Sequence, residues 1–446
     1  MNLIWIIADT CRADYLSCYA AEGCKTPNLD ALAADAVRFD EAYVEGLPTG
    51  PERIIWLTGK LTLPFRGWVP LDENDITIAR VLGERGYVSM NITDAVPLTR
   101  PKANYHADFT GYLRIRGQEA DPYITAPVGR SLDEVLKADS HKIPPERKQR
   151  GAGYREALAQ YLRNTGYRVK HSDYFVAQAC QAAMDWLDEN ARAHENFFLW
   201  LDCFDPHEPW DAPPEYIAEY ADPYYKGANL IAPWFHSLLA SDFTEEELEY
   251  IRALYAAEVT FVDHWIGQVL DEAESLGLFE DTLILFTSDH GTLLGERNHL
   301  TKCPRYGNTC NRALTRIPLI IRHPDGPRGK VVSDYVWSPD LMPTVLDILG
   351  VEAPENSHGR PYWPLVSGDT SLGREHVICG WHGPKYYYVR DKQYAYTIDA
   401  KEAKEELYDI ASDPTEANDI SRREPGATRA MKRKLDEFFE EAKALP

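Results

Sequence analysis

Near its start the chain reads Leu3-Ile4-Trp5-Ile6-Ile7-Ala8-Asp9, an apolar run that ends in a carboxylate, and this stretch decides the fold. A continuous apolar run is typical of a strand that is buried on both faces of a parallel sheet. Residues 196–202 and 281–289 have the same form and end in Asp202 and Asp289. Because functional sites of open α/β sheets form beyond the carboxyl ends of the strands, these aspartates predict a common site, with metal chemistry as the first candidate.

Predicted helices and strands alternate through most of the remaining chain. They comprise helices over 29–33, 75–85, 173–193 and 245–276, and strands over 87–92 and 317–322. This alternation predicts an α/β fold with a doubly wound sheet. Residues from about 105 to 170 are rich in Pro, Gly and charge, and they predict an irregular excursion that covers one face.

The last part of the chain has a different pattern. Aromatic segments at 386–389 and 394–396 predict short strands, and the charged segment 425–444 predicts a helix. We therefore expect a small α+β C-terminal subdomain over residues 371–446, after a main domain over residues 1–370.

The composition limits the classes of partner. The 446 residues include 70 Asp and Glu against 47 Lys and Arg, for a formal net charge of -23 at pH 7. Nucleic acids and anionic membranes attract clustered cations, so neither is an expected partner. A small anionic ester is the expected substrate, because a metal with two or three basic side chains is enough to bind it. The sequence leaves homo-oligomerisation open.

Three features of the sequence bear on the location of the protein. No apolar run approaches the roughly 18 residues that a membrane span needs. The N-terminal run lacks the basic residues and the cleavage site of a signal peptide. The eight cysteines are scattered, which is typical of reduced thiols. Together these features predict a cytoplasmic protein.

Several short motifs follow one another along the chain. They are Asp9-Thr10-Cys11-Arg12-Ala13-Asp14, Thr49-Gly50-Pro51-Glu52-Arg53, Phe204-Asp205-Pro206-His207-Glu208-Pro209, Ser288-Asp289-His290-Gly291 and Lys302. In this order they resemble the sulfatase family of the alkaline phosphatase superfamily, and the resemblance covers nearly the whole chain. It implies an alkaline-phosphatase-like, doubly wound mixed sheet flanked by helices, a catalytic domain over residues 1–370, and metal-dependent hydrolysis of esters.

The resemblance implies a site for one divalent metal ion. Its ligands would be Asp9, Thr49, Asp289 and His290. A histidine among carboxylates favours Mn or Zn, and Ca, which sulfatases use, is the alternative.

The resemblance also implies which side chains act on the ester. Thr49 would attack it, and Arg53 would hold the nucleophile and offset charge with its rigid fork of donors. His207 and Lys302 would contact the transferred group or the leaving oxygen, unless His207 makes only a structural hydrogen bond in a loop and Lys302 is a solvated charge. His299 is the other residue in this segment that could reach the substrate.

Thr49 departs from the sulfatase pattern. Sulfatases convert a Cys or Ser at this position into formylglycine, which threonine cannot form, so no formylglycine is expected. A phosphorylated threonine is an ordinary covalent intermediate. The sequence therefore predicts cleavage of phosphodiesters or phosphonate monoesters through a covalent Thr49 intermediate. The alternatives are a sulfatase that uses an unmodified threonine and a catalytically silent binding protein that keeps the fold.

Thr93 and Asp94 form a second departure. Sulfatases usually place Gly-Lys-Trp-His near this strand end, and that lysine touches the sulfate. A carboxylate in place of a cation disfavours a bare dianion and suits a cationic or hydroxylated leaving group, so both residues are candidates for substrate binding. The alternative is that Asp94 caps a helix or pairs with Arg100.

Overall fold

The computed structural model describes residues 1–20, 23–127, 131–135, 145–233, 239–302, 304 and 307–445. The strands in these ranges are β1 (Asn2–Ala8), β2 (Val37–Tyr43), β3 (Val88–Thr93), β4 (Gly111–Arg114), β5 (Phe197–Cys203), β6 (Thr282–Thr287), β7 (Arg316–Ile317), β8 (Leu319–Arg322), β9 (Lys330–Trp337), β10 (His376–Trp381), β11 (Tyr386–Asp391), β12 (Tyr394–Asp399) and β13 (Lys404–Asp409). The α-helices are α1 (Pro27–Ala34), α2 (Thr49–Thr58), α3 (Ile78–Gly83), α4 (Pro145–Thr165), α5 (Phe175–Asn190), α6 (Pro214–Ile217), α7 (Glu245–Ser275), α8 (Arg312–Thr315), α9 (Leu341–Ile348) and α10 (Pro425–Ala442).

A mixed sheet forms the centre of the main domain and contains nine strands among the described residues. Its order is β4-β3-β5-β1-β6-β8-β2-β7, and β9 pairs with β2. The strands from β4 to β6 are parallel, whereas β8 runs antiparallel to β6 and β2. The predicted α/β fold with a large mixed sheet is confirmed.

Helices cover both faces of this sheet. β1 is buried along its whole length, and its successive side chains enter two different cores. Leu3, Trp5 and Ile7 belong to a core with α2, α3 and α9, whereas Ile4 and Ile6 belong to a core with α1, α5 and α7. The uninterrupted apolar run at the start of the chain is therefore the consequence of burial on two sides.

The prediction of an irregular segment over residues 105–170 is wrong in part. The segment contains the edge strand β4 and the long helix α4. The sequence of α4 is mainly polar and charged, and among its described side chains the buried apolar ones are Leu158, Tyr161 and Leu162, so an apolar helical period is hard to detect. Residues 128–130 and 136–144 of the segment lie outside the described residues.

Two other elements have bounds in the structure that differ from the predicted ones. The helix predicted over 75–85 shortens to α3, because the side chain of Thr77 caps it by accepting from the N–H of Arg80. The strand predicted over 317–322 is divided at Pro318 into β7 and β8, since proline has no N–H to donate to a sheet.

The C-terminal part forms a separate antiparallel sheet of four strands among the described residues, in the order β10-β11-β12-β13. The aromatic segments at 386–389 and 394–396 lie in β11 and β12, and α10 packs on β11, β12 and β13. A small α+β subdomain is present as expected, whereas its exact boundary at residue 370 stays a prediction.

Of the described helices, none combines the length and the apolar character that crossing a membrane would require. The seven cysteines in the described ranges are free thiols, and Cys303 lies outside these ranges. The cytoplasmic location stays a prediction.

Candidate metal centre and active site

Three carboxylates meet where β1, β5 and β6 end, and one guanidinium lies among them. Asp9, Asp202 and Asp289 are each at most 1% exposed, as is Arg53 on the second turn of α2. Arg53 donates from Nε and Nη2 to the two carboxylate oxygens of Asp202, over 3.1 and 2.6 Å. Its Nη1 donates to Oδ2 of Asp289, and its Nη2 lies 3.2 Å from Oδ2 of Asp9.

The charges of these side chains oppose the effect of burial on the pKa values of Arg53 and Asp289. Burial alone would lower the pKa of Arg53, but the carboxylates of Asp202, Asp289 and Asp9 raise that pKa well above its usual value. Burial alone would raise the pKa of Asp289, but the guanidinium of Arg53 holds it below its usual range. Arg53 and Asp289 are therefore both charged.

Asp9, Asp289 and His290 could hold a metal ion. One ligand atom from each lies within 4.8 Å of the others, and all three residues are buried. The Nδ1–H of His290 donates to the carbonyl of Gly291 over 2.8 Å, which leaves the lone pair on Nε2. That Nε2 is buried and has no hydrogen-bond partner among the described residues, and Oδ2 of Asp9 is buried and has only the ion pair with Arg53, without a hydrogen bond. Burial lowers the pKa of His290 to about 4, so the ring is neutral, as a metal ligand must be.

Thr10 orients two of these ligands, a role that the sequence analysis missed. Its N–H donates to Oδ1 of Asp289 over 2.9 Å, and its hydroxyl donates to Oδ1 of Asp9 over 2.7 Å. Its φ of 65° is unusual for a β-branched residue. The hydroxyl of Tyr255, which donates to the Thr10 carbonyl over 2.8 Å, helps to stabilise this backbone. The only hint in the sequence was the position of Thr10 directly after Asp9.

Thr49 is the first residue of α2 and is 2% exposed. Arg53 follows it by about one helical turn, so both side chains lie on the same side of α2. The N-terminus of a helix presents free N–H groups and favours an anion beside it. Thr49 therefore lies on the face of α2 that carries Arg53, at a helix end that can hold an anion.

The loop before Thr49 is fixed by two buried glutamates, neither of which the sequence analysis assigned to a role. Oε1 of Glu52 accepts from the N–H groups of Glu45 and Gly46, over 2.7 and 3.1 Å, and from the hydroxyl of Ser338 over 3.0 Å. The carboxylate of Glu45 in turn accepts from Thr62, from both its N–H and its hydroxyl. Burial, and then the neighbouring charge of Glu45, raise the pKa of Glu52 well above its usual value, and its Oε2 has no hydrogen-bond partner among the described residues.

His207 and Lys302 contact each other, and their action on an ester stays a prediction. Nζ of Lys302 donates to Nε2 of His207 over 2.6 Å and lies 3.4 Å from both oxygens of Glu208. The Nδ1–H of His207 donates to the carbonyl of Glu208 over 2.7 Å, and its ring stacks on Phe204 at 4.0 Å. Burial lowers the pKa of His207 to about 3, so this ring is neutral and accepts from Lys302 rather than donating.

Thr93 and Asp94 follow β3 and make internal contacts. Oδ1 of Asp94 accepts from the N–H of Phe204 over 2.6 Å, and Oδ2 accepts from Gln118 over 3.3 Å. These contacts join the ends of β3 and β5, and they favour a structural role that is neither the helix cap nor the Arg100 pair expected as the alternative. Thr93 accepts from the N–H of Ala95 over 3.0 Å and lines a cavity of about 10 Å³. A role for either residue in substrate binding stays a prediction.

His299 is directed towards the C-terminal sheet. The charges that act on it belong to Arg297, Glu406 and Lys404, and its buried Nδ1 has no partner among the described residues. Between the two alternatives in this segment, Lys302 is the residue that contacts His207.

The balance of charge in the group favours a divalent cation. Asp9, Asp202, Asp289 and Glu208 provide four carboxylates against the two cations Arg53 and Lys302. Burial, and then the neighbouring charge of Asp289, raise the pKa of Asp9 well above its usual value, and a divalent cation beside Asp9 would oppose that shift.

Comparisons with known proteins identify the family of this chain. Residues 1–351 match the family model described as sulfatase, and residues 310–444 match the model described as N-sulphoglucosamine sulphohydrolase, C-terminal. The chain is similar to the uncharacterized sulfatase YidJ of Escherichia coli, with 27% identity over 439 residues that cover 94% of this chain and 82% of YidJ.

Two other proteins are similar over most of their length. The multifunctional alkaline phosphatase superfamily protein PehA of Trinickia caryophylli is 27% identical over 411 residues, which cover 82% of this chain and 77% of PehA. The crystal structure of the phosphonate monoester hydrolase of Agrobacterium radiobacter superposes with a TM-score of 0.76 at 21% identity and covers 99% of this chain and 96% of the hydrolase. At this identity, the superposition establishes the shared fold.

The first prediction concerns the metal. A divalent ion bound by Asp289 and His290 should stabilise the native state, and at one hundred times its Kd it should add about 2.7 kcal/mol to the free energy of unfolding. Thermal unfolding of metal-stripped protein with added Mn, Zn or Ca measures this gain. Asp289→Asn and His290→Ala should abolish it, whereas the control His299→Ala should keep it. An undiminished gain in His290→Ala would contradict the assigned site.

The second prediction concerns Arg53. Arg53→Ala leaves three buried carboxylates without their cation and should lower the free energy of unfolding of metal-free protein by about 3–5 kcal/mol. Urea denaturation measures the loss. The control is Arg80→Ala, which removes a partly exposed partner of Asp108 and should cost less than about 1 kcal/mol. Equal losses in the two variants would show that Arg53 does not hold the carboxylates together.

The third prediction follows from the raised pKa of Glu52. The native state keeps its proton, whereas the unfolded state releases it above a pKa of about 4.3, so Glu52 makes the native state less stable as the pH rises above that value. Glu52→Gln keeps the same accepting oxygen and removes the titration. Its stability relative to the parent protein should therefore rise between about pH 5 and pH 8, by up to about 1.4 kcal/mol per pH unit. The exposed Glu84→Gln controls for the loss of a carboxylate. A pH-independent difference for Glu52→Gln would refute the assignment.

Proposed function

The chain belongs to the sulfatase family, and we propose that it is a metal-dependent hydrolase of phosphodiesters or phosphonate monoesters that acts through a covalent Thr49 intermediate. The family relationship supports a hydrolase that acts on esters. The choice among esters depends on one observation. A threonine, which cannot become formylglycine, occupies the buried first residue of α2, one turn before Arg53.

The charge of the site supports an ester with a single negative charge. Asp202 occupies two donor groups of Arg53, and Glu208 lies beside Lys302, so neither cation is free to neutralise a dianion. Phosphodiesters and phosphonate monoesters carry one charge, whereas phosphate monoesters carry nearly two at neutral pH. A phosphate monoester is therefore the least favoured of the phosphorus esters.

The metal has a defined part in this proposal. Asp9, Asp289 and His290 would hold it, with Thr49 as the further ligand that the family motif implies. Mn or Zn suits a histidine among carboxylates, and Ca is the alternative. When bound, such an ion supplies Lewis-acid stabilisation of negative charge and lowers the pKa of a hydroxyl group.

The side chains of this protein would then act in two stages. In the first, Oγ1 of Thr49 releases its proton to solvent and forms a bond to phosphorus as the bond to the leaving oxygen breaks, while the start of α2 stabilises the charge on the transferred group. Lys302 donates a proton from Nζ to the leaving oxygen, and neutral His207 positions that Nζ by accepting from it. In the second stage, water attacks phosphorus and one of its protons passes to Oγ1 as the bond to Oγ1 breaks, which regenerates Thr49, while Lys302 regains its proton from solvent.

Hydrolysis of sulfate esters is the second candidate, because both matched family models are named after sulfate chemistry. A sulfate monoester carries the same single charge as a phosphonate monoester, so it fits the same balance of charges. The two reactions differ in how the Thr49 ester is cleared, which the experiment below can resolve.

The fourth prediction tests the nucleophile. Purified, metal-loaded protein is assayed with para-nitrophenyl esters of phenylphosphonate, phenyl phosphate and sulfate. The two phosphorus esters should be preferred, Thr49→Ala should lower kcat by at least about a thousandfold, and Thr49→Ser should keep part of the activity. Acid quenching during turnover, followed by peptide mapping, should place the phosphoryl group on residue 49.

Three outcomes would contradict the proposal. Full activity in Thr49→Ala would exclude the nucleophile, and a preference for the sulfate ester would favour the second candidate. No turnover of any ester in protein that binds metal stoichiometrically would favour a silent binding protein. Tyr224→Ala, at a residue that is 81% exposed and outside the site, controls for handling of the variants.

A further inference from the structure

A cavity of about 270 Å³ lies where the main domain meets the C-terminal subdomain. Among the described residues, three arginines line it, Arg12, Arg312 and Arg316, against two carboxylates, Asp14 and Glu296. A single water takes up only about 30 Å³ of liquid volume, and small-molecule sites begin at roughly 300 Å³. The cavity is therefore large enough for a small organic molecule, and its walls are strongly polar.

Arg316 carries a buried charge without a counterion. Its side chain is 8% exposed, its Nε donates to the carbonyl of Asp40 over 2.7 Å, and its guanidinium carbon lies 5.5 Å from the centre of the Tyr19 ring. Its two terminal nitrogens make no hydrogen bond or ion pair with the described part of the chain. Because a guanidinium stays charged at neutral pH, a buried one is costly unless an anion offsets its charge.

Two neighbours of Arg316 in the cavity wall also have unused donors. Nη2 of Arg312 donates to Glu41 over 2.9 Å, but its Nε is buried without a hydrogen-bond partner among the described residues. Asn311 is 2% exposed, and its Oδ1 accepts from the N–H of Leu314 over 3.1 Å, whereas no described residue accepts from its Nδ2. Unused donors of three side chains therefore surround one space.

The two carboxylates in the wall do not satisfy these donors, because both bind Arg12. Asp14 accepts from Nε and Nη2 of Arg12 over 2.9 and 2.6 Å, and Glu296 accepts from its Nη1 over 2.6 Å. Burial alone would raise the pKa of Asp14, but Arg12, and then Arg316 and Arg312, hold it below its usual value. Positive charge therefore predominates in the wall, and the ligand that it suits is an anion.

The cavity is separate from the catalytic centre but lies close behind it. The described residues that line it include none of the side chains that the proposed function uses. A Cβ atom built on Gly291, which follows Asp289 and His290, would clash with the carbonyl oxygen of Ala313 and lie 3.0 Å from Cγ of Arg12. Ala313 and Arg12 both line the cavity. Its wall therefore packs on the backbone next to the candidate metal ligands.

We propose that this cavity is a second, non-catalytic site that binds a small organic anion through a carboxylate or phosphoryl group. The forks of Arg312 and Arg316 match the paired oxygens of either group, and Asn311 adds a neutral donor. Thr415, on the exposed rim, comes from the C-terminal subdomain, so the bound anion contacts both parts of the protein. The inference goes beyond the proposed function and does not depend on it.

The fifth prediction is measured by calorimetric titration of metal-loaded protein with three anions: succinate, propane-1,2,3-tricarboxylate and inorganic phosphate. At least one of them should bind saturably. Arg316→Gln should weaken that binding by at least about tenfold, because the anion loses charge-assisted hydrogen bonds. Thr415→Trp should also weaken it, because the larger side chain fills the rim of the cavity.

Two controls separate this site from other sources of binding. Arg85→Gln removes an exposed arginine elsewhere and should change the affinity less than about twofold. His290→Ala removes a candidate metal ligand and should leave the binding in the cavity intact.

Three outcomes would overturn the second site. One is the absence of saturable binding of all three anions to the parent protein. Another is binding that is lost in His290→Ala and kept in Arg316→Gln, which would place the anion on the metal. The third is an equal loss in Arg85→Gln and Arg316→Gln, which would indicate unspecific attraction. Thermal unfolding establishes that each variant is folded. If Arg316→Gln does not fold, Thr415→Trp and Arg312→Gln decide, and unchanged affinity in both overturns the inference.

Discussion

The guanidinium of Arg53, bound among three buried carboxylates, is the interaction on which the rest of the site depends. Parallel strands that end side by side bring Asp9, Asp202 and Asp289 to one place, where like charges out of water would repel each other and take up protons. A planar cation with several donors in a fixed fork can bind all three at once, which the single ammonium of a lysine cannot do. The sheet thus brings the carboxylates together, and α2 supplies the cation that offsets their charge.

The same helix connects the charged centre to the C-terminal subdomain. The N–H of Gly380 in β10 donates to the carbonyl of Glu45 over 2.9 Å, and the N–H of Leu47 donates back to Gly380 over 2.9 Å. Glu52 holds the opposite side of this loop through Glu45 and Gly46. The first residue of α2 therefore takes its position from both parts of the protein, which gives the subdomain a role in placing Thr49 in addition to any contact with substrate.

Local patterns allowed much of this to be predicted. Apolar runs that end in aspartate identified β1, β5 and β6, because a strand that is buried on both faces needs a continuous run of apolar residues. The same patterns could not reveal Arg53 as the common partner of the carboxylates, or Asp202 as one of its main contacts, because those bonds join segments far apart in the chain. Glu52 and Thr10 were missed for a related reason. Their roles depend on backbone N–H groups and on a positive φ, and the residue types do not predict either feature. In α4 the apolar residues were too few to show a helical period.

The charged acid group and the organic group of an ester are recognised by different parts of the site. A phosphodiester, a phosphonate monoester and a sulfate monoester all present a tetrahedral group with one negative charge, so the polar centre alone discriminates weakly among them. The organic group can be selected only outside that centre. In the proposed reaction, the acid itself is selected later, when the ester on Thr49 has to be cleared. Threonine has no second hydroxyl on its carbon and cannot release the acid by elimination, so water must attack the transferred atom. A phosphoryl group permits that displacement by the same machinery that formed the intermediate, and the chemistry of residue 49 therefore determines which of these esters is turned over.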